Sequence, residues 1–392
     1  MTAQMISAFL ASCKADGSLR SVNPYFQNGI YIDYKGERLI NLSSNDYLNL
    51  GHDLAIRQEF LKILSDSHAL FSSTSSRLLT GTFNEHALFE EKAGKLFHKS
   101  CLMFNSGFDA NCGILQALGG KETLFLADKL IHASMIDGIK ASGAKFMRFS
   151  HNDIEHLESL LVKYKEKFKE IIVITEAVFS MDGDCAPLNE LVLLKEKYPL
   201  IKLYVDEAHS FGVYGKNGLG LCYKLGLLDK VDYILCTLGK AAGSCGAFFL
   251  CDAMTKEYLI NTVRTFIFTT ALPPVNALHA SFMLDKLNKA ERKRQNLENA
   301  AERVRNCLKD IGFKVLSSSQ IIPIVVNTNE AAIKGAEFFK EKGFFVLPIR
   351  HPTVPLGQAR LRLSLNAAVN EAEVQRLCEV IKKFKNFLEK NI

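Results

Sequence analysis

Between Cys101 and Cys251 come short β-rich runs, several of them apolar throughout: CLMFN, TLFLAD, KFMRFS, IIVITEAV, LYVDEA, YILCTLG and GAFFLC. A strand with one wet face alternates polar and apolar positions, so these runs predict strands of a mostly parallel sheet buried on both faces. Stretches at helical spacing, such as EHALFEEKAGKLF, separate them. The pattern predicts an α/β sheet covered by helices on both faces.

The two ends of the chain read differently. MTAQMISAFLASCKADG predicts a short amphipathic helix, with no basic residue before its apolar run and too little apolar length to cross a bilayer. GIYIDYKGERLINL reads as a hairpin turning at Lys35 and Gly36. Near Asp285 the pattern becomes one long charged helix, with Leu297, Ala301, Val304, Leu308 and Ile311 at helical spacing and Gly312 at its end. Strands follow at QIIPIVV, GFFVLPI and ARLRLSL, then a final helix with Val374, Leu377, Cys378, Ile381, Phe384 and Leu388 on one side. Three segments are expected: 1–44, a helix and hairpin; 45–284, an α/β catalytic domain; and 285–392, a smaller C-terminal α+β domain.

Composition narrows the class. A chain of 392 residues exceeds a single small core, and 48% hydrophobic with 23% charged residues excludes a disordered chain. The net charge of +6 is small, and Lys163, Lys165, Lys167 and Lys169 alternate with Glu166 and Glu170 as on a solvated face. No nucleic-acid partner is therefore expected. Ten cysteines contain no C-x₂-C pair, which predicts reduced thiols of a cytoplasmic protein and no metal site.

LYVDEAHSFGVYGKNGLG contains the Asp-Glu-Ala-His letters of a nucleic-acid-stimulated ATPase. Such a box needs an upstream phosphate-binding loop, GxxxxGK[ST]. The Gly-Lys pairs at Gly215 and Gly239 are followed by Asn217 and Ala241, and both lie downstream. Asp206 and His209 must serve another chemistry.

In open α/β sheets, ligands bind beyond the carboxyl ends of the strands. Asp206 ends LYVD, Glu176 ends IIVITE, Lys240 follows YILCTLG, and Asn105-Ser106-Gly107 follows CLMF. Any one of these is ordinary loop polarity in such a fold; jointly they define a chemistry. A partly desolvated Lys240 has a lowered pKa and favours a Schiff base with a carbonyl compound. Asp206 suits a buried cation such as a protonated pyridine nitrogen, and His209 a neighbouring phenolic oxygen. Ser106, Gly107 and Phe108 open a helix whose N–H groups suit a phosphate, with the Thr237 hydroxyl beside it. These are the parts of a pyridoxal phosphate site.

The runs CLMFNSGFDAN, IHASMIDGI, ITEAVFSMDGDCAPL, LYVDEAHSFGVYGKNGLG, TLGKAAG and HPTVPLGQARLRLSL resemble the α-oxoamine synthases, fold-type I pyridoxal phosphate enzymes, from about Ser44 to Asn366. The resemblance implies that Lys240 anchors the cofactor and acts as base and acid at the substrate's α-carbon. It implies that Asp206 pairs with the ring nitrogen, that His209 and Ser180 bond the O3′ side, and that His132 stacks on the ring. Gly107, Phe108 and Thr237 would hold the phosphate, Glu176 would orient the site, and Asn45 would line it. In ARLRLSL, period two sets Arg360, Arg362 and Ser364 opposite three leucines. The resemblance selects Arg362 to clamp a carboxylate, leaves Arg360 as a surface or structural residue, and places Thr353 and Arg20 at the acyl substrate.

The reaction so implied is decarboxylative condensation of L-alanine with a pimeloyl thioester, on acyl carrier protein or coenzyme A, as in biotin biosynthesis, by a homodimer. Relatives that take glycine or serine with other acyl donors share nearly all these residues. Two departures bear on the donor: SSTSSRLLTG has serines where the family has glycines, and Ala242 stands where the family has an aromatic residue or leucine.

Overall fold

The computed structural model describes residues 2–391. The chain divides into two units, residues 53–180 with 185–294, and residues 1–52 with 181–184 and 295–392.

The larger unit is built on seven strands: β1 (Ser100–Phe104), β2 (Thr123–Asp128), β3 (Lys145–Phe149), β4 (Glu170–Glu176), β5 (Ile201–Asp206), β6 (Tyr233–Thr237) and β7 (Ala247–Cys251). They are the seven β-rich runs of the sequence. Their spatial order is β1-β7-β6-β5-β4-β2-β3, parallel except for β7, which runs antiparallel to both β1 and β6. β2 and β7 are buried throughout and the edge strand β1 nearly so, whereas β3 at the other edge is mostly not. Helices cover the sheet, Asn84–Phe97 against β1, Gly107–Leu118 against β6 and β7, and Leu188–Lys197 against β5.

Register decides what the strand ends present. Glu176 pairs with Asp206, and Asp206 with Leu235, so two carboxylates stand side by side at the carboxyl edge. Partners in register project to the same face of a sheet.

The smaller unit contains the hairpin Tyr31–Tyr34 and Glu37–Asn41, turning through Lys35 and Gly36. Both turn residues have positive φ, 53° and 84°, as a type I′ turn requires. The run GFFVLPI is not one strand. Phe344–Phe345 pairs in parallel with Glu37–Asn41, while Pro348–Ile349 pairs antiparallel with Ala359–Ser364. Ile321–Asn327 completes the second, three-stranded sheet. The charged helix begins at Glu291 rather than near Asp285, which belongs to a separate helix, Pro274–Asn288. Gly312 ends the charged helix at φ +79°.

The strand Ala359–Ser364 is buried at every position, not only on its leucine face. Arg360 is 1% exposed and pairs with Asp182, with further bonds to the Met181 and Gln358 carbonyls at 3.2 and 3.1 Å. It is a structural residue of the interior and not of the surface. Next to this pair, Gly183 has φ +69°, and a Cβ there would lie 1.9 Å from the Ile321 carbonyl oxygen, so only glycine fits.

Candidate functional site

Two consecutive acids at the end of β5 have separate fates. The Glu207 carboxylate is 1% exposed and accepts the Leu221 and Cys222 amides at 2.8 and 2.7 Å, with the Ser210 hydroxyl on the same group. It caps the short helix Leu221–Lys224, and Gly220 at φ +99° leaves it room, since a Cβ there would lie 2.7 Å from Oε2. Glu207 thus has a structural function, and the Asp-Glu-Ala-His letters do not form a paired-carboxylate ion site. Asp206 instead faces a cavity of about 160 Å³.

That cavity lies at the carboxyl ends of β4, β5 and β6. Its walls carry Gly107, Phe108, His132, Glu176, Asp206, His209, Thr237 and Lys240, eight of the residues singled out from the sequence. Lys240 Nζ is 2.7 Å from His209 Nε2. Asp206 is 5% exposed; its Oδ1 accepts the Ala208 amide at 2.8 Å and its Oδ2 the Asn111 side-chain amide at 2.9 Å. A carboxylate has about four acceptor positions, so each oxygen keeps one for a cationic N–H in the cavity.

Glu176 is 3% exposed, and its Oε1 has no hydrogen-bond partner. Burial, reinforced by Asp206, pushes its carboxyl up to about 8, against the pull of Lys240 and of backbone hydrogen bonds from His132 and Ser180. Its carboxyl thus stands at the cavity wall near the His132 and Ser180 backbone N–H groups. His132 is open to solvent at the cavity wall, edge-on to Phe108 with ring centroids 6.4 Å apart. Desolvation, aided by Lys240 and opposed by Asp206, holds its imidazole below the ordinary value.

One end of the cavity is a helix start. Ser106 caps Gly107–Leu118 through the Asp109 amide at 3.1 Å, and its hydroxyl is spent on Asp109 Oδ2 at 2.7 Å. Ser106 contributes the cap and does not line the cavity. The Gly107 and Phe108 amides belong to the first turn, where no intrahelical acceptor exists. A Cβ on Gly107 would sit 3.8 Å from Thr237 Oγ1, in the space between the helix start and that hydroxyl. Backbone donors, a hydroxyl, an amine, a buried carboxylate and an orphaned carboxyl oxygen together fit a phosphorylated pyridine aldehyde.

Ser180 is half-buried in the turn after β4 and reaches the site through its amide. The remaining residues lie in the smaller unit. Arg362, 8% exposed, donates to Ser364 Oγ at 2.6 Å and to Asn45 Oδ1 and Tyr47 Oη at 3.3 Å. Arg20 donates to Thr353 Oγ1 at 2.9 Å, both exposed.

Sequence reasoning missed Tyr47, Ser134, Tyr204 and Asn111. Asn111 carried a usable signal: it shares the buried helix face with Ile114 and Leu115, where a polar side chain is out of place.

The aminotransferase class I and II family model matches residues 37–381. An 8-amino-7-oxononanoate synthase of Haemophilus ducreyi is 43% identical over 376 residues, covering 94% of this chain and 97% of its own. Among solved structures, an 8-amino-7-oxononanoate synthase from Francisella tularensis superposes with a TM-score of 0.74 at 30% identity, covering 89% of this chain and 98% of its own. A Sphingomonas wittichii serine palmitoyltransferase gives 0.89 at 27% identity, covering 99% and 98%. The chain belongs to the aminotransferase class I and II family, within its α-oxoamine synthase group.

Proposed function

We propose that the protein condenses L-alanine with a pimeloyl thioester, on acyl carrier protein or coenzyme A, releasing CO₂ and 8-amino-7-oxononanoate for biotin synthesis. The observation that carries this reading is the convergence of Lys240, Asp206, His209 and His132 on one cavity beside a helix start, in a chain 43% identical to such a synthase. Pyridoxal phosphate, when bound there, supplies an electron sink for the amino acid's α-carbon.

The chain's own residues do the rest. Lys240 anchors the cofactor and moves the proton at the α-carbon. Asp206 keeps the ring nitrogen protonated by pairing with its N–H. His209 and Ser180 serve the O3′ side, His132 offers its open ring face for stacking, and Glu176 orients the site. Arg362, oriented by Asn45, Tyr47 and Ser364, receives the alanine carboxylate, since a guanidinium fork matches its two oxygens. Arg20 and Thr353 contact the acyl donor.

We propose a homodimer as well; Phe71, Leu79 and Phe268 are 77%, 78% and 72% exposed and would be covered by a second copy. No cysteine among the described residues forms a disulfide. No helix among the described residues is long and apolar enough to cross a membrane.

The test is product formation from alanine, glycine and serine, each with pimeloyl and shorter acyl thioesters. Alanine with pimeloyl should give the amino-oxo acid with release of CO₂; a preference for glycine overturns the substrate assignment. Borohydride should trap a pyridoxyl adduct on the peptide bearing Lys240, and Lys240→Ala should abolish both the adduct and the visible absorbance.

A further inference from the structure

A polar chain within the larger unit is used by none of the roles above. Asn111 is 2% exposed, one turn into the helix that starts at Gly107. Its Nδ2 donates to Asp206 Oδ2 at 2.9 Å and to Ser134 Oγ at 3.0 Å, and its Oδ1 accepts from the Tyr204 hydroxyl at 2.7 Å. Tyr204 and Ser134 are wholly buried.

The orientation of this amide is determined by its neighbours. Flipped, it would set Oδ1 against the Asp206 carboxylate and its NH₂ against a phenol proton. Burial pushes the Tyr204 phenol well above its ordinary value, so it stays a donor. Tyr204 thereby directs both amide protons of Asn111 toward Asp206 and Ser134.

Ser134 passes the constraint on. Its hydroxyl, which accepts from Asn111, lies 2.8 Å from His132 Nδ1; the Ser134 amide donates to the same nitrogen at 3.3 Å, so Nδ1 is an acceptor and the hydroxyl must donate to it as well. Two donors on one ring nitrogen require it to be unprotonated. The single ring proton then sits on Nε2, and the imidazole is neutral.

We propose that Asn111, oriented by Tyr204, is a positioning residue that sets two things at once: the Asp206 carboxylate and, through Ser134, the neutral Nε2–H form of His132. The proposal rests on the cofactor reading for its consequence. A ring made cationic by pairing with Asp206 is stacked favourably by a neutral imidazole and opposed by an imidazolium. One amide thus couples the carboxylate that holds the charge to the ring that must carry none.

The test is ¹⁵N-histidine NMR of the protein with and without pyridoxal phosphate, together with the cofactor's dissociation constant, for wild type, Asn111→Leu and Tyr204→Phe. His132→Gln assigns the resonance. Wild type should show the Nε2–H form. Asn111→Leu should mix the two tautomers and weaken cofactor binding about tenfold to a hundredfold, as expected for a lost hydrogen bond to a carboxylate. Tyr204→Phe keeps the ring packing and should shift the tautomer balance in the same direction, so the proposal stays testable if Asn111→Leu folds poorly. An unchanged His132 tautomer in both variants overturns the proposal, as does cofactor affinity within twofold of wild type in a folded Asn111→Leu. The tautomer is read in cofactor-free protein too, so failure of wild type to bind pyridoxal phosphate would refute the functional reading without deciding this one.

Discussion

Substituting Glu176 by glutamine tests the electrostatics of the site directly. The folded carboxyl sits at about 8 rather than 4.5, because it is buried and stands in register with Asp206. An unfolded chain loses this proton first, so between those values the unfolded state binds fewer protons and stability falls as pH rises. With each tenfold shift in ionisation equal to about 1.4 kcal/mol, the penalty is about 2 kcal/mol at about pH 6 and about 5 kcal/mol at about pH 8.5. Glutamine keeps the shape and an acceptor oxygen but does not titrate. Buried His86, partly buried His279 and the cavity's His132 are all lowered, and they tilt the curve the other way, losing stability as pH falls below 6.5. They are common to both proteins and cancel in the difference. Urea unfolding of the cofactor-free proteins should therefore show the stability of Glu176→Gln relative to wild type rising by about 2–3 kcal/mol over that range. A difference that stays flat to within about 0.5 kcal/mol would refute the raised carboxyl and the burial argument behind it.

The two arginines of one strand should separate cleanly. Arg360→Met removes a fully buried guanidinium and its bonds to the partly buried Asp182 and to two carbonyls, and should cost about 3 kcal/mol in urea. Arg362→Lys should stay within about 1 kcal/mol of wild type yet raise the KM for alanine at least about tenfold, because a single ammonium cannot form the two-point contact; the reverse pattern would interchange their roles. Glu207→Gln weakens the hold on the Leu221 and Cys222 amides and should lower stability by about 1–3 kcal/mol, while wild type should show no nucleic-acid-stimulated ATP hydrolysis. Gly183→Ala should destabilise by at least about 2 kcal/mol, since the added carbon meets the Ile321 carbonyl at a positive φ; a neutral result in thermal unfolding would contradict that contact.

Strand identity was readable because burial on both faces leaves nearly unbroken apolar runs in most of the strands, and all seven runs became strands of one sheet, Lys145–Phe149 as an edge that is mostly not buried. The hairpin was readable because Lys35 and Gly36 allow the positive φ its turn needs. GFFVLPI misled because an apolar run does not say which sheet each half will join, and Phe344 and Pro348 join different ones. Arg360 misled for a related reason: period two assigns a face to a side chain but not the depth of that face, and here Asp182 arrives from a distant loop to neutralise it.

From residue order alone follow the mostly parallel sheet, the edge at which polar groups gather, and the residue types able to hold a phosphorylated pyridine. These are local matters, since each depends on side chains within one strand and the turn that follows it. Folding decided the rest: that Asp206 turns to the cavity while Glu207 turns to a helix cap, and that Asn111 and Tyr204, 93 positions apart, share a hydrogen bond. Such outcomes depend on register and close packing between segments far apart in the chain, and no short window of sequence contains both partners.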